Sequence, residues 1–183
     1  MGARGIHLQG MNMTISEYKE TLQKPLRPRA ICFLVRGDEI LLGRKKEGFG
    51  KGNWVGVGGK IEEGETIEQG IIRELKEEIG VDATNLKKIA VLNFYFPHVK
   101  DEGWNQRVHA FIADSWSGEP VESDEIYPQW FRRDAIPFGD MWDDARYWLQ
   151  EAIAGKEISA DFVIDDQLKV VDKEINDGLW NIR

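Results

Sequence analysis

The apolar positions of the chain fall into short runs with a period of two and into two runs with a period near 3.6. In 29–46, RAICFLVRGDEILLGRKK, two runs of strand-forming residues flank the polar turn Arg36-Gly37-Asp38. This arrangement predicts a β-hairpin. A glycine-rich loop in 47–53 and a short strand in 53–59 follow it.

Further strands are predicted along the rest of the chain. Strand-forming or extended segments occupy 86–97, 107–114, 125–132, 157–165 and 167–175. The segment 139–155 has apolar residues, Trp142 among them, at helical spacing, and it ends in Gly155, so a helix is expected there. Strands with two intervening helices indicate an α/β fold, in which helices pack on the faces of a mixed sheet.

The other helical segment, 66–80, carries its own start and stop signals. Thr66 and Gln69 match a capping box, which predicts that the helix begins at Thr66, and Gly80 is placed to end it. Its buried face is an apolar stripe of residues four positions apart: Ile67, Ile71, Leu75 and Ile79.

Acidic residues crowd the second half of this helix. On a helical wheel Glu78 lies within about 20° of Ile71. Glu74 lies in the same way near Ile67, and Glu77 is on the flank beside Glu74. A run of charges on a helix is ordinarily a solvated face, but these positions aim two carboxylates at the edge of the core. A carboxylate there is costly unless it is paired or binds a metal ion.

Divalent metal binding is the simplest explanation of the acidic cluster. A cation close in sequence, Arg73, is expected on a different face of the helix. Oxygen ligands without histidine or cysteine nearby favour Mg²⁺, with Mn²⁺ as a substitute, over zinc. The three histidines are scattered, and His109 is interpreted as structural.

Composition narrows the class of protein. The chain has 183 residues, 42% of them hydrophobic and 31% charged, which fits one globular domain. Its net charge of −8 argues against binding to duplex nucleic acid. No apolar run is long enough for a membrane span and no signal pattern begins the chain, so no membrane partner is expected. The single cysteine, Cys32, is interpreted as a core thiol in a cytoplasmic protein.

The segment 59–81 resembles the Nudix box, G-x5-E-x7-R-E-U-x-E-E-x-G-U with U apolar. All nine specified positions are filled, by Gly59, Glu65, Arg73, Glu74, Leu75, Glu77, Glu78, Gly80 and Val81. The chain is similar to the Nudix hydrolases over roughly 29–174. Beyond the box, the segments 45–68, 93–96 (NFYF), 121–125 (VESDE) and 136–148 resemble the oxidised purine nucleoside triphosphatase branch of that family. The resemblance implies an α/β/α sandwich around a mixed sheet. It divides the chain into a peripheral extension (1–28), a Nudix domain (29–174) and a tail (175–183).

The resemblance also implies which residues bind metal and act in catalysis. The metal ligands would be Glu74, Glu77 and Glu78, the backbone carbonyl of Gly58, and Glu125. The catalytic carboxylates would be drawn from the same group: Glu78, Glu74 and Glu125. Either Glu78 or Glu125 would take the proton of the attacking water. Arg73 and Glu65 would form a structural ion pair, in a box whose Gly59 and Gly80 are also structural.

A nucleotide pocket is implied by the same comparison. Lys45 would lie near the phosphates, and the remaining nucleotide-binding residues would be Phe49, Val55, Phe94, Phe96, Trp142, Asp144 and Trp148. Two positions depart from the family pattern. Val55 replaces an asparagine that binds the oxidised base, and Asp144 with Ala145 replaces a pair of adjacent aspartates. A gap of one residue would instead match Asp143 and Asp144 to that pair.

The expected activity is Mg²⁺-dependent hydrolysis of oxidised purine nucleoside triphosphates, such as 8-oxo-dGTP, to the monophosphate and pyrophosphate. Its role would be the sanitation of the nucleotide pool. Two alternatives stay open, a Nudix hydrolase for another nucleotide or nucleoside diphosphate derivative and a nucleotide-binding module without turnover. The complete acidic box argues against the second. A small-molecule nucleotide is the expected partner, and the oligomeric state is open.

Overall fold

The computed structural model of the protein describes residues 6–8 and 11–179, with side chains from residue 13 onward. Its helices are α1 (Ile15–Thr21), α2 (Ile67–Ile79) and α3 (Ala145–Ile153). Its strands are β1 (Ile6–Leu8), β2 (Met11–Met13), β3 (Arg27–Arg36), β4 (Glu39–Lys45), β5 (Trp54–Val55), β6 (Val57–Lys60), β7 (Asp82–Tyr95), β8 (Gln106–Ser117), β9 (Ile126–Arg132), β10 (Ile158–Ile164) and β11 (Val170–Asp177). The predicted strands are therefore confirmed, and so is the hairpin, which turns at Gly37 and Asp38 between β3 and β4.

Nine of the strands form one mixed sheet. Its main path runs β11-β10-β7-β8-β3-β4-β5, while β6 pairs with β3 and β9 pairs with β4. The β10–β7 and β3–β8 pairs are parallel and the others are antiparallel. Because β6 pairs with β3 alone, its outer side forms an edge of the sheet beside the C-terminal half of α2.

The two faces of the sheet are covered by different helices. Alternate residues of β3 point to opposite faces, so that Cys32 and Leu34 pack toward α2 while Phe33 and Val35 pack toward α3. From α2 the buried apolar residues are Ile71, Leu75 and Ile79, as the apolar stripe predicts, and Ile67 is partly buried beside them. This is the expected α/β/α sandwich.

The start and end of α2 are also as expected. The Thr66 hydroxyl accepts a hydrogen bond from the Gln69 backbone N–H at 3.1 Å, and the Gln69 side chain accepts one from the Thr66 N–H at 2.9 Å. Gly80 ends the helix in the left-handed conformation at φ 74°, which a glycine adopts without steric cost. The two caps set where α2 begins and ends.

A third helix, α1, precedes the first strand of the large sheet. It packs Ile15 and Tyr18 against Tyr95 of β7, whose ring meets that of Tyr18 edge to face at 6.0 Å. Lys19 of α1 pairs with the buried carboxylate of Asp161 at 2.8 Å. The division into 1–28, 29–174 and 175–183 stays a prediction. The structure places α1 within the first range and runs β11 from the second into the third.

The helix expected over 139–155 is shorter than its apolar spacing indicates. Met141 forms a β-bridge with Trp54, and the short 3₁₀ turn Phe138–Asp140 precedes it. This extended backbone is incompatible with a helix, so α3 begins only at Ala145 and Trp142 lies outside it. In the described part of the chain, no helix is long and apolar enough to cross a bilayer.

Candidate active site

The acidic residues of α2 meet the backbone of β6 at the edge of the sheet. The Gly58 N–H donates a hydrogen bond to Glu78 Oε2 at 3.2 Å. Glu74 lies against Gly59, and its side chain is only 14% exposed. Both carboxylates therefore lie where the helical wheel places them, at the border of the core. Glu125 lies close enough to both for its charge to act on them.

Arg73 lies among these carboxylates rather than on a separate face. Its guanidinium donates to Glu65 at 2.6 and 3.1 Å, which is the expected structural ion pair. It also donates to Glu74 at 3.1 Å and to Glu77 at 3.0 Å. The expectation that Arg73 points away from the cluster is wrong, because its long side chain lies back along the helix surface. One further bond, to the Lys60 carbonyl at 3.0 Å, ties α2 to the end of β6.

The local electrostatics show how much negative charge collects at this edge. Burial, followed by the charges of Glu74 and Glu125, raises the pKa of Glu78 to about 7, against opposition from the Gly58 N–H and Lys45. Burial likewise raises the pKa of Glu74, although Arg73 opposes the shift. Arg73 thus compensates Glu74, while within the described part of the chain Glu78 has one N–H bond and the more distant Lys45.

The donor set suits a hard divalent cation. Glu74, Glu78 and Glu125 supply only oxygen ligands, and their mutual repulsion is the cost that a bound cation would remove. Glu77 is placed differently, because its side chain is 59% exposed and pairs with Arg73. Across residues 13–179, no three acidic, histidine or cysteine side chains converge as a preformed metal site.

A cavity of about 290 Å³ opens on the α3 side of the sheet, next to the acidic edge. All eight residues expected to bind the nucleotide line it: Lys45, Phe49, Val55, Phe94, Phe96, Trp142, Asp144 and Trp148. Gly58 and Gly59 line it too, so the cavity and the carboxylates share the backbone of β6. The volume is near the lower end of the range for ligand pockets, about 300–1,000 Å³.

Aromatic rings from three loops meet at one side of the cavity. The Phe49 ring lies 5.0 Å from the Trp142 ring at an interplanar angle of 33°, and 5.1 Å from the Trp104 ring at 80°. Trp104 also contacts Phe96 at 6.0 Å. Phe49 is 48% exposed and Trp104 42%, so both rings reach solvent, and Phe49 does so where it lines the cavity. These rings can contact a flat base through their faces and edges.

The two aspartates before α3 differ in their surroundings, although both line the cavity. Asp143 accepts from the Val170 N–H at 3.0 Å and lies 3.3 Å from Arg146, so it ties the loop to β11. Asp144 is buried and accepts from Trp148 Nε1 at 2.8 Å, and burial raises its pKa to about 6. Ala145 lines the cavity as an apolar neighbour.

The other candidate nucleophiles and bases lie away from this cavity. His109 is buried on the α2 face, where burial and the nearby Lys88 and Arg107 lower its pKa to about 4. Its Nδ1 has no hydrogen-bond partner within the described residues. Cys32 is fully buried, and burial raises the pKa of its thiol, so it is an inert core residue as expected.

Several cavity residues carry no signal that sequence reasoning used. Arg29 and Gln106 supply polar groups, and Trp54, Met141 and Ile164 extend the apolar wall. They come from segments distant in sequence, which the fold brings together. The alternation of β3 places Arg29 on the same face as Phe33, and this spacing could have identified it.

Residues 25–152 match the sequence profile of the NUDIX domain. The oxidized purine nucleoside triphosphate hydrolase of Mus musculus is 43% identical over 140 residues, which covers 75% of this chain and 86% of the mouse protein. The Danio rerio protein of the same name is 41% identical over 147 residues, covering 80% and 92% of the two chains. A MutT protein from Bacillus halodurans superposes with a TM-score of 0.70 at 23% identity, over 82% of this chain and 98% of its own.

The contact between Gly59 and Glu74 yields a direct test of the site. A Cβ at Gly59 would lie 2.7 Å from Glu74 Oε1, so Gly59→Ala must displace that carboxylate. Because the end of a glutamate is flexible, we expect thermal stability to change little. We expect kcat/KM for nucleoside triphosphate hydrolysis to fall by about 10- to 100-fold, since a small displacement of a group in an active site slows the reaction strongly.

Gly139→Ala is the matched control, because a Cβ there has no neighbour within 4 Å. Steady-state kinetics and thermal unfolding of both variants decide the matter. Full activity in Gly59→Ala would mean that the position of Glu74 is unimportant.

Proposed function

Because the chain belongs to the Nudix hydrolase family, we propose that it hydrolyses purine nucleoside triphosphates, including oxidised ones such as 8-oxo-dGTP. The products are the nucleoside monophosphate and pyrophosphate. The observation that carries the proposal is the arrangement of the cavity, which joins an aromatic and apolar wall to the carboxylates of α2 through β6. The names of the mouse and zebrafish relatives support the same substrate class.

In this proposal the acidic edge holds Mg²⁺, for which Mn²⁺ can substitute. Glu74, Glu78 and Glu125 are the proposed ligands, with Glu77 and the Gly58 carbonyl as further candidates. When bound, the ion would neutralise the phosphates and activate the attacking water. Arg73 is engaged with Glu65 and Glu74, so it orients the ligand set instead of binding substrate.

The protein's own groups then carry out the hydrolysis. Glu78 or Glu125 accepts the proton of the attacking water, whose oxygen bonds to phosphorus while the α–β phosphoanhydride bond breaks. The Gly58 N–H, 3.2 Å from Glu78 Oε2, fixes the direction of that carboxylate. Lys45 lines the cavity close enough to act on Glu78, and it attracts the phosphates.

The base is proposed to lie between the aromatic mouth and Asp144. Phe49 and Trp142 provide ring faces, and Asp144 provides a carboxylate that Trp148 already orients. Val55 offers no hydrogen bond to a base. A pocket with a hydrogen-bonding side chain rejects a wrong base because that side chain would then be left unpaired. With valine at this position there is no such penalty, so the pocket should discriminate weakly between bases.

A second candidate is a Nudix hydrolase with another or a broader nucleotide range. Val55 and Ala145 favour it, because both line the cavity where the family pattern has hydrogen-bonding side chains.

The first proposal includes a cellular role, the removal of damaged nucleotides in the cytoplasm. The single buried thiol of Cys32 supports a reducing compartment.

Catalysis is expected to depend on Glu78. Glu78→Gln keeps an acceptor for the Gly58 N–H but removes the negative charge and the base. We expect kcat to fall by about 10²- to 10⁴-fold in a folded protein. The measurement is pyrophosphate release from dGTP and 8-oxo-dGTP in Mg²⁺.

The control is Glu68→Gln, which removes an exposed carboxylate from the same helix, 3.9 Å from Lys88. It should retain activity. If Glu78→Gln turns over normally, the carboxylate is not part of the reaction.

Base selectivity is expected to be modest and to increase in Val55→Asn. The wild-type kcat/KM for 8-oxo-dGTP should exceed that for dGTP only slightly, because position 55 offers no polar contact. An asparagine there restores a donor and an acceptor, which should raise the ratio by roughly tenfold. Competition kinetics with both nucleotides give the ratio directly.

Val55→Leu controls for the shape of the new side chain, since leucine has the same branched skeleton of non-hydrogen atoms as asparagine but is apolar. It should leave the ratio near the wild-type value. An advantage of several thousandfold for 8-oxo-dGTP in the wild type would refute this explanation of selectivity.

A further inference from the structure

Arg29 is a cation in the cavity that the proposed chemistry does not yet use. It lies on β3, opposite Lys60 of β6 and Val108 of β8. Its side chain lines the cavity on the same face as Ile31 and Phe33. Arg29 is the one charged residue among the β3 residues that line the cavity, and a leucine or isoleucine there would continue the apolar wall of Ile31 and Phe33.

Arg29 has no partner of opposite charge in contact. Among residues 13–179 its side chain makes no ion pair and no hydrogen bond, and the only carboxylate whose charge acts on it is the more distant Glu74. Burial, followed by the charge of Arg27, lowers its pKa. Arg73, by contrast, is bound to three carboxylates. A partly buried guanidinium without a partner is costly, and a ligand that supplies acceptors would remove the cost.

The location of Arg29 indicates which part of a ligand would supply them. On one side it lies opposite Val108 of β8, which lies opposite Leu92 of β7, and all three line the cavity in which the nucleoside is proposed to lie. On the other side it acts on Glu74, which lies against Gly59 at the proposed phosphate end. Arg29 is therefore at the junction between the base pocket and the acidic edge.

We infer that Arg29 binds the phosphate chain of the nucleotide where it leaves the sugar, and so is a substrate-binding residue of this enzyme. This inference rests on the proposed function. The planar fork of a guanidinium matches two phosphate oxygens, which a lysine ammonium cannot do. At this junction a fixed cation also opposes the repulsion between the phosphates and Glu74.

Two other roles for Arg29 predict different behaviour. If Arg29 binds a carbonyl of the base, its removal lowers the affinity for nucleosides and nucleotides alike and alters base selectivity. If it only maintains the wall of the cavity, its removal lowers thermal stability and Arg29→Lys behaves like Arg29→Gln. Only phosphate binding predicts that removing Arg29 weakens the binding of nucleotides and leaves the binding of nucleosides unchanged.

The test is calorimetric titration in Mg²⁺ with two probes, deoxyguanosine and the α,β-methylene analogue of dGTP, whose bridging group cannot be hydrolysed. For Arg29→Gln we expect the Kd of the analogue to rise by about 10- to 100-fold. The Kd of deoxyguanosine should change less than about twofold. For Arg29→Lys the Kd of the analogue should lie between the values for the wild type and Arg29→Gln, because lysine keeps the charge and loses the planar fork.

Arg27→Gln is the matched control. It removes one positive charge from an exposed arginine on the same strand that does not line the cavity, and both probes should bind as in the wild type. Equal losses on the two probes, no loss on the analogue, or an equal loss in Arg27→Gln would each overturn the inference. Because the analogue is not cleaved, its measured Kd does not depend on whether the protein hydrolyses nucleotides. A wild type that binds it but hydrolyses no purine triphosphate would refute the proposed function alone.

Discussion

The carboxylates of Glu74 and Glu78 lie partly buried against the backbone of β6, and the arrangement of the site follows from the cost of keeping them there. Two glutamates one helical turn apart repel each other, and burial adds to the cost of the charged form. The fold offsets part of that cost with Arg73 on Glu74 and the Gly58 N–H on Glu78. The remainder is an unfavourable electrostatic free energy that a bound divalent cation would remove.

The same strand connects this charge to the base pocket. Gly58 and Gly59 present backbone to the carboxylates on one side and line the cavity on the other, so β6 is the shared wall of two chemically different compartments. A nucleotide suits such a site, since it has a flat apolar ring at one end and a polyanion at the other. Arg29 and Lys45 lie in the cavity that joins the compartments, and there they supply positive charge that Arg73 cannot.

The parts of this structure that could be predicted from sequence are those set by local rules. The limits of α2 follow from Thr66 and Gly80, and its buried stripe from four-residue spacing. The apolar spacing in 139–155 predicted too long a helix, because the β-bridge between Met141 and Trp54 is a contact between distant segments that spacing does not reveal. The helical wheel also misplaced Arg73, since a wheel gives the direction of Cβ but not the reach of a long side chain. The Thr14 and Glu17 capping box could have revealed α1, but no apolar run drew attention to it.

The central claim is that the carboxylates at the edge of β6 bind a divalent cation. The most direct measurement is Mn²⁺ binding without nucleotide, followed by the electron paramagnetic resonance signal of the free ion. The protein should bind Mn²⁺, and the double variant Glu74→Gln/Glu78→Gln should bind it at least about tenfold more weakly. Equal affinity in the two proteins would contradict the account, because the charge of α2 would then have no part in holding the metal.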